Sequence, residues 1–152
     1  MPGTRLVRSP RLADTPYAHA ATAASGATGG EGTWVWTAGA CPLDRSGRVV
    51  APGDAVAQAH QVVANLRLAL EEAGATFADL VKTTVYVATS DRADLVAVWD
   101  VVHDAVAESG GHEPPSTLLG VRVLGWPDQL VEGHHDREGV AVVQLGDVDL
   151  VQ

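Results

Sequence analysis

The sequence predicts an α+β domain in which a mixed β-sheet carries two helices packed on one face. Two segments with apolar residues at helical spacing, 54–74 and 91–110, flank a segment of alternating β-branched residues at 80–88. Other extended segments precede the first helix and follow the second. With 152 residues, 46% of them hydrophobic, the chain is long enough for one domain with a core, and we expect a single domain over 1–152.

The N-terminal part is predicted to be an arm followed by an antiparallel pair of strands. Residues 1–15 mix Arg, Pro and Asp without periodicity, and residues 23–33 are small and glycine-rich, so both are predicted to be irregular. Residues 17–22 are predicted to pair with residues 33–40. Turn-forming residues at 44–47 then return the chain through Val49 and Val50.

Each helix is predicted from its cap and its apolar stripe. The first has Asp54 as N-cap, ends at Gly74, and presents a stripe of Val56, Val63, Leu66 and Leu70. The second has Ser90 or Asp91 as N-cap, ends at Gly110-Gly111, and presents a stripe of Leu95, Val98, Trp99, Val102 and Val106. The strands predicted beside these helices are Leu80–Ala88, Ser116–Leu124 and Val140–Leu145.

Composition disfavours several classes of function. The formal net charge of -9 repels phosphate backbones, so we expect no nucleic-acid partner. A single cysteine, Cys41, rules out an internal disulfide. The start of the chain lacks a basic and apolar export signal, and no apolar run approaches 20 residues, so we expect no membrane partner and a cytoplasmic protein.

Three segments together resemble the RidA/YjgF family of small trimeric proteins: Trp34-Val-Trp-Thr-Ala-Gly-Ala-Cys-Pro-Leu-Asp44, Pro114-Pro-Ser-Thr-Leu-Leu-Gly-Val121 and Leu130-Val-Glu132. Lys82-Thr-Thr-Val-Tyr-Val87 and Ala64-Asn-Leu-Arg67 add to the resemblance, which spans roughly residues 16–143. The resemblance implies a RidA/chorismate-mutase-like fold, a homotrimer whose sheets form a central barrel, and clefts between subunits. It also implies hydrolysis of small enamines and imines without a cofactor.

The resemblance assigns candidate roles in such a cleft. Glu132 aligns with the glutamate that positions the hydrolytic water, and Tyr17 with a cleft tyrosine. The loop with Ala38, Gly39 and Cys41 aligns with the one that presents backbone N–H groups to the ligand, Ala38 replacing a serine. Considered alone, Glu132 could be a solvated strand-end residue, Tyr17 an edge-strand tyrosine, and Cys41 a small buried hydrophobe.

The same comparison shows a departure at the predicted substrate-binding residues Pro115, Ser116 and Thr117. RidA-type deaminases carry an arginine where this chain has Pro115, and that arginine binds the substrate carboxylate. Its loss implies roughly 10–100-fold weaker binding of 2-aminoacrylate-type substrates. Arg122 is expected to lie too far along the strand to replace it, and Arg137 is a weaker replacement. Trp99 aligns with a cleft asparagine and would shape the pocket for flat or apolar ligands, unless it is a core residue.

The segment 133–136 is interpreted as a short inserted loop beside Glu132. Its histidines, His134 and His135, are candidates for acid/base catalysis in place of the missing arginine, or for binding Zn or Ni. The spacing matches no strong metal motif, and a solvated polar loop is the favoured alternative, so no metal is predicted.

The sequence therefore predicts a homotrimeric RidA-like enzyme that uses acid/base chemistry on a small enamine, imine or carbonyl compound lacking a carboxylate. Hydrolysis, tautomerisation and cyclisation in a dedicated metabolic or biosynthetic pathway all remain open. A non-catalytic ligand-binding trimer that uses the same clefts is the alternative, and a protein-binding scaffold is a weaker one.

Overall fold

The computed structural model describes residues 3–24, 32–110 and 113–137, without the side chains of 134–137. Its elements in chain order are β1 (Thr4–Val7), β2 (Ala20–Ala24), β3 (Thr33–Thr37), α1 (Ala55–Glu72), β4 (Lys82–Ala88), α2 (Arg92–Ala107), β5 (Ser116–Val121) and β6 (Val131–Arg137). A 3₁₀ turn, Phe77–Asp79, leads from α1 into β4. The predicted strand Val140–Leu145 lies outside the described residues.

The strands form one mixed sheet in the order β1-β2-β3-β6-β4-β5. Every neighbouring pair is antiparallel except β4 and β5, which are parallel and are connected through α2. A parallel pair needs such a crossover, because a tight turn can join only antiparallel strands. The predicted α+β class, with a mixed sheet and two helices, is confirmed.

Both helices begin where the sequence predicted. The Asp54 carboxylate accepts the Ala57 N–H at 2.9 Å, and the Asp91 carboxylate accepts the Ala93 N–H at 2.9 Å. Helix α1 ends at Glu72, and Gly74 follows it with φ +83°, a conformation that favours glycine. The predicted stripe is wrong at Val56, which is 40% exposed. In the first turns of α1 the buried residues are Gln58 and Ala59 instead.

Alternation along the strands gives the sheet two different faces. One face packs against the helices through fully buried Val35, Val85, Val87 and Val131. The residues of the opposite face, called here the open face, include Leu6, Trp34, Trp36, Tyr86 and Leu119. Leu6 is 68% exposed and Leu119 is 37% exposed, and the Trp34 and Trp36 rings stack with centroids 6.4 Å apart.

The prediction of an irregular arm over residues 1–15 is wrong for Thr4–Val7. These residues form β1 and pair with β2, with Leu6 opposite Ala21. The strand was missed because only four residues are extended and three of them are exposed, so they carry no apolar alternation.

The prediction of an inserted loop over residues 133–136 is also wrong. Strand β6 runs without interruption through this segment and pairs with β4, His134 opposite Thr84 and His135 opposite Thr83. The backbone N–H and C=O groups of β6 pair with those of its neighbours β3 and β4, and this pairing does not depend on the side chains. A polar sequence can therefore form this strand.

Gln58 of α1 is a fully buried polar residue that ties the helix to two loops. Its amide nitrogen donates to the Asp128 carbonyl at 2.9 Å and to the Ala51 carbonyl at 3.3 Å, and its Oε1 accepts the Leu130 N–H at 2.7 Å. The segment just before β6 is thereby fixed against α1.

We expect Gln58→Ala to lower the free energy of unfolding by about 1–3 kcal/mol, because the partly buried Leu130 N–H loses its acceptor. Chemical denaturation monitored by circular dichroism measures this change. His60→Ala, on the exposed side of the same helix, is the matched control and should change stability little. Equal effects of the two substitutions would contradict the role given to Gln58.

Candidate functional site

A small cavity brings together four of the residues predicted for the cleft: Tyr17, Ala38, Gly39 and Cys41. It lies where the chain leaves β3, and His19, Asn65 and Leu43 also line it. Its volume is about 40 Å³, little more than one or two water molecules occupy. Within one chain it can therefore take only a small reacting group.

Glu132 lies beside this cavity, at the start of β6. Its Oε2 accepts a hydrogen bond from the Gln129 amide at 3.2 Å and is 3.9 Å from the Cys41 thiol. The Gln129 nitrogen also donates to the Val131 carbonyl at 3.1 Å, and Gln129 itself is buried. The carboxylate is thus held in one orientation by a side chain that has little freedom to move.

Tyr17 and Cys41 are both kept protonated near neutral pH. Burial raises the pKa of the Cys41 thiol to about 11, and the negative charge of Glu132 contributes further. Burial also raises the pKa of Tyr17 to about 12, with smaller contributions from Cys41 and Glu132. The cavity therefore presents a phenol and a thiol, both able to donate a proton in a hydrogen bond, next to one carboxylate.

Two further side chains fix the walls of the cavity. The Asn65 amide of α1 donates to the carbonyls of Cys41 and Leu43, each at 2.9 Å, which holds the loop after β3 against the helix. The Ser9 N–H donates to His19 Nδ1 at 3.0 Å, so His19 Nε2 carries the proton that it shares with the Ala13 carbonyl at 3.0 Å. Both His19 nitrogens thus hydrogen-bond to the backbone of the segment between β1 and β2, and the role of His19 is structural.

A second cavity, of about 300 Å³, contains two other predicted residues, Trp99 and Ser116. It lies between α2 and the first residues of β5. Trp99 is half-buried in its wall, so its exposure lies between that of a core residue and that of a surface residue.

The predicted residues thus fall into two separate groups within the chain. Ser116 lies opposite Thr83 on β4, whereas Glu132 lies opposite Tyr86, three residues further along. The backbone positions of Ser116 and Glu132 are therefore about 10 Å apart along the strands. Across the sheet they are two strand spacings apart, each about 4.8 Å. Pro115 is exposed beside Ser116, and Thr117 pairs with Thr84, so both belong to the second group.

His134 and His135 follow Glu132 on β6, but their side chains lie outside the described residues. Within the described part of the chain, no group of three or more His, Cys, Asp or Glu side chains is arranged to hold a metal ion. No helix in that part is long and apolar enough to cross a bilayer.

Sequence reasoning missed Gln129, Trp126, Asn65 and His19. Trp126 packs with Cys41 and Leu43 and hydrogen-bonds to Tyr17. Gln129 and Trp126 stand in the turn between β5 and β6, whose only sequence signal was Gly125, Pro127 and the apolar residues around them. Such a signal marks a turn without telling which side chains point inward.

Comparison with known proteins gives one consistent result. Residues 11–134 match the model of the family described as endoribonuclease L-PSP. A RutC family protein of Pyrococcus abyssi is 35% identical over 78 residues, 51% of this chain and 60% of the relative. A RutC family protein of Haemophilus influenzae is 45% identical over 67 residues, 44% of this chain and 49% of the relative. The chain thus spans about half to three fifths of the length of these curated relatives.

Among solved structures, the Escherichia coli YjgF gene product superimposes with a TM-score of 0.69 at 25% identity. That alignment covers 86% of this chain and 95% of the E. coli protein. The arrangement of sheet and helices is therefore shared over nearly the whole neighbouring fold.

We expect the Cys41 thiol to react with iodoacetamide at pH 8 about a hundredfold more slowly than free cysteine, because its pKa of about 11 leaves little thiolate. Mass spectrometry of the alkylated protein over pH 7–11 measures the rate. Glu132→Gln should speed the reaction, since it removes a neighbouring negative charge, and urea should restore full reactivity. Alkylation of the folded protein at the rate of free cysteine would show that the thiol is activated.

Proposed function

The chain belongs to the RidA/YjgF family, whose model carries the description endoribonuclease L-PSP, and on this premise we propose that it catalyses acid/base chemistry on a small imine, enamine or related carbonyl compound. The substrate in this proposal lacks a carboxylate. Glu132 is the acid/base group, and Tyr17 and the loop at Gly39 orient the reacting atoms.

The observation that carries the proposal is the fixed carboxylate of Glu132. The Gln129 amide holds it at 3.2 Å, and the small cavity lined by Tyr17 and Cys41 lies beside it. A general base is effective when it is held within hydrogen-bond reach of the proton it takes. A cavity with room for one or two waters next to a positioned carboxylate supports the proposal of water activation by Glu132.

For an imine, the reaction consumes one water and releases an amine or ammonia. The water oxygen attacks the imine carbon as its proton passes to Glu132, and the electron pair of the C=N bond moves onto nitrogen. Glu132 returns this proton to that nitrogen, then takes the remaining O–H proton and passes it to the nitrogen as well. The C–N bond breaks, the neutral amine or ammonia leaves, and the carbonyl forms. Tautomerisation of an enamine uses the same carboxylate to move a proton between carbon and nitrogen.

Two donors support the polar atoms of such a substrate. Tyr17 is protonated near neutral pH, as an ordinary phenol is, and burial raises its pKa further, to about 12. In the loop after β3, the Ala38 N–H donates to the His19 carbonyl and the Ala40 N–H to the Gly133 carbonyl, both at 2.9 Å. Among the described residues, this leaves the Gly39 N–H to donate to a ligand, the arrangement that stabilises developing negative charge on oxygen.

The lining of the cavity favours a substrate without a carboxylate. Among the described residues, neither Lys nor Arg lines it, and Glu132 adds negative charge. Pro115 offers neither charge nor N–H where the resemblance places an arginine. Arg122 is exposed and lies beyond the far end of β5.

Small-molecule chemistry is favoured over cleavage of RNA, despite the description of the family model. The net charge is -9, and binding a phosphate backbone requires clusters of Lys and Arg to release counterions.

The proposal includes a homotrimer, because the open face of the sheet is too apolar to remain in water. Leu6, Leu119 and the stacked pair of Trp34 and Trp36 form much of its surface. No described element of the chain covers this face, since both helices pack on the other one. In the proposed trimer, three sheets would meet through their open faces and surround a common axis.

Light scattering at micromolar concentration should give a mass close to three times the 15.8 kDa of one chain. Leu119→Asp should dissociate the assembly, because it introduces a charge on the open face. Val56→Asp, at an exposed position of α1, is the matched control and should leave the mass unchanged. A monodisperse wild-type monomer would remove the argument for a cleft between subunits.

Glu132→Gln should lower kcat/KM by about 10²–10⁴-fold while the protein stays folded, because an amide cannot accept the proton. Hydrolysis of an uncharged ketimine such as benzophenone imine, followed by absorbance of the ketone, measures it. Glu108→Gln, at an exposed position at the end of α2, is the matched control.

His134→Ala and His135→Ala complete the test. Loss of turnover in a histidine variant, with turnover retained in Glu132→Gln, would move the chemistry to that histidine. Turnover no faster than without protein, or unaffected by all three substitutions, would favour the non-catalytic ligand-binding trimer.

A further inference from the structure

A third cavity lies beside the segment that connects β1 to β2. Its volume is about 320 Å³, at the lower end of the range for small-molecule pockets, about 300–1,000 Å³. Leu12, Ala13 and His19 line both this cavity and the one beside Glu132, so the connecting segment separates the two. Among the described residues, none of those predicted for the cleft lines the third cavity, which is therefore a separate site.

Two arginine side chains line this cavity and are held by backbone carbonyls. Arg8 Nη1 donates to the Thr15 carbonyl at 2.9 Å, and Arg45 Nη2 donates to the Pro10 carbonyl at 3.2 Å. Each contact uses one of the five N–H groups of a guanidinium. Within the described part of the chain, neither guanidinium has a further protein acceptor, so the other N–H groups are available to a ligand.

The charges of these two arginines are not balanced by ion pairs. Other arginines of the N-terminal part are paired: Arg48 lies 3.3 Å from Asp44, and Arg11 lies 2.8 Å from Glu72. No described carboxylate lies within ion-pair distance of either arginine at the cavity. In a chain with a net charge of -9, two unpaired guanidinium groups at one cavity indicate a site for an anion.

One carboxylate, that of Asp14, also lines the cavity and restricts the charge of the ligand. His19 adds no free donor there, because its two ring nitrogens are already hydrogen-bonded to the backbone. The two arginines outweigh Asp14, so a single anionic group is attracted. A second anionic group on the same small ligand would be repelled by Asp14.

A phosphate monoester matches this arrangement better than a carboxylate does. It carries a charge of about -2 near neutral pH and has three terminal oxygens in a tetrahedral arrangement, so one group can accept hydrogen bonds from two guanidinium groups. A carboxylate has one charge and two oxygens in a plane, which suits a single guanidinium. Pro10, Leu12 and Ala13 offer apolar surface for a small organic part of the ligand.

From these observations we propose that the third cavity binds a small phosphate monoester whose organic part carries no second acidic group. Arg8 and Arg45 contact the phosphate oxygens, and the organic part lies against Pro10 and Leu12. Binding there requires no chemistry at Glu132, so this proposal does not rest on the proposed function.

Three probes of similar size test the selectivity by heteronuclear NMR titration of the full-length protein at one ionic strength, since salt screens exposed charges. Glycerol 3-phosphate should bind with a Kd of about 0.1–1 mM. Glycerate, which has a carboxylate in place of the phosphate, should bind at least about tenfold more weakly, and 3-phosphoglycerate, which has both groups, about three- to tenfold more weakly. Equal affinities for the three probes, or a Kd for glycerol 3-phosphate above about 10 mM, would overturn the proposal.

Substitution of the arginines locates the site. Arg8→Gln and Arg45→Gln should each weaken the binding of glycerol 3-phosphate about tenfold, because each removes a charge-assisted contact. Arg5→Gln removes the same charge from an exposed position three residues before Arg8 and is the matched control, with a change of less than about twofold. Full affinity in the Arg8→Gln, Arg45→Gln double variant would show that the phosphate binds elsewhere.

Asp14→Asn tests the same site by a gain of binding, which a loss of folding cannot produce. It should raise the affinity for 3-phosphoglycerate to within about twofold of that for glycerol 3-phosphate, because the repulsion is removed. An unchanged ratio of the two affinities would refute the role of Asp14.

Glu132→Gln separates this proposal from the proposed function. It should leave the affinity for glycerol 3-phosphate unchanged whether or not turnover is lost, because Glu132 lies at the other cavity. Loss of glycerol 3-phosphate binding in Glu132→Gln would place the phosphate at the other cavity and overturn the assignment.

Discussion

The arrangement of the candidate site depends on one buried amide, that of Gln58. Three hydrogen bonds join it to Ala51, Asp128 and Leu130, so α1 and the segment before β6 are fixed as one unit. Glu132 follows two residues later and can be positioned by Gln129 only because that segment is fixed. A buried polar group of this kind is stable when all its partners are present, which makes it specific for one conformation.

The two faces of the sheet have different structural roles. The face toward the helices supplies the valine core and the floor of the cavity beside Trp99. The open face carries exposed Leu6 and Leu119 and, through the pairing of β4 with β6, the backbone position of Glu132. Assembly through the open face would therefore bring the surroundings of Glu132 close to a neighbouring subunit, which is consistent with a cavity that is too small within one chain.

The two cavities that contain the predicted residues differ in their charged groups. Among the described residues neither is lined by Lys or Arg. Glu132 lies beside the first cavity, whereas in the second the Glu113 carboxylate pairs with His103. In the first cavity burial, with a further contribution from the charge of Glu132, raises the pKa values of both Cys41 and Tyr17. The proposed substrate without a carboxylate fits the surroundings of the first cavity and the replacement of an arginine by Pro115.

The sequence by itself determined the class of fold, the two capped helices, strand β4 and the family, because periodicity, Asp caps and short motifs are local signals. It did not determine that β1 exists or that β6 runs through His134 and His135, because sheet pairing is decided by neighbouring strands rather than by side-chain polarity. It proposed Tyr17, Cys41, Trp99 and Glu132 together. Only the tertiary structure separated Trp99 from the others and joined Gln129 to Glu132, since distances between residues far apart in sequence follow from strand order and register.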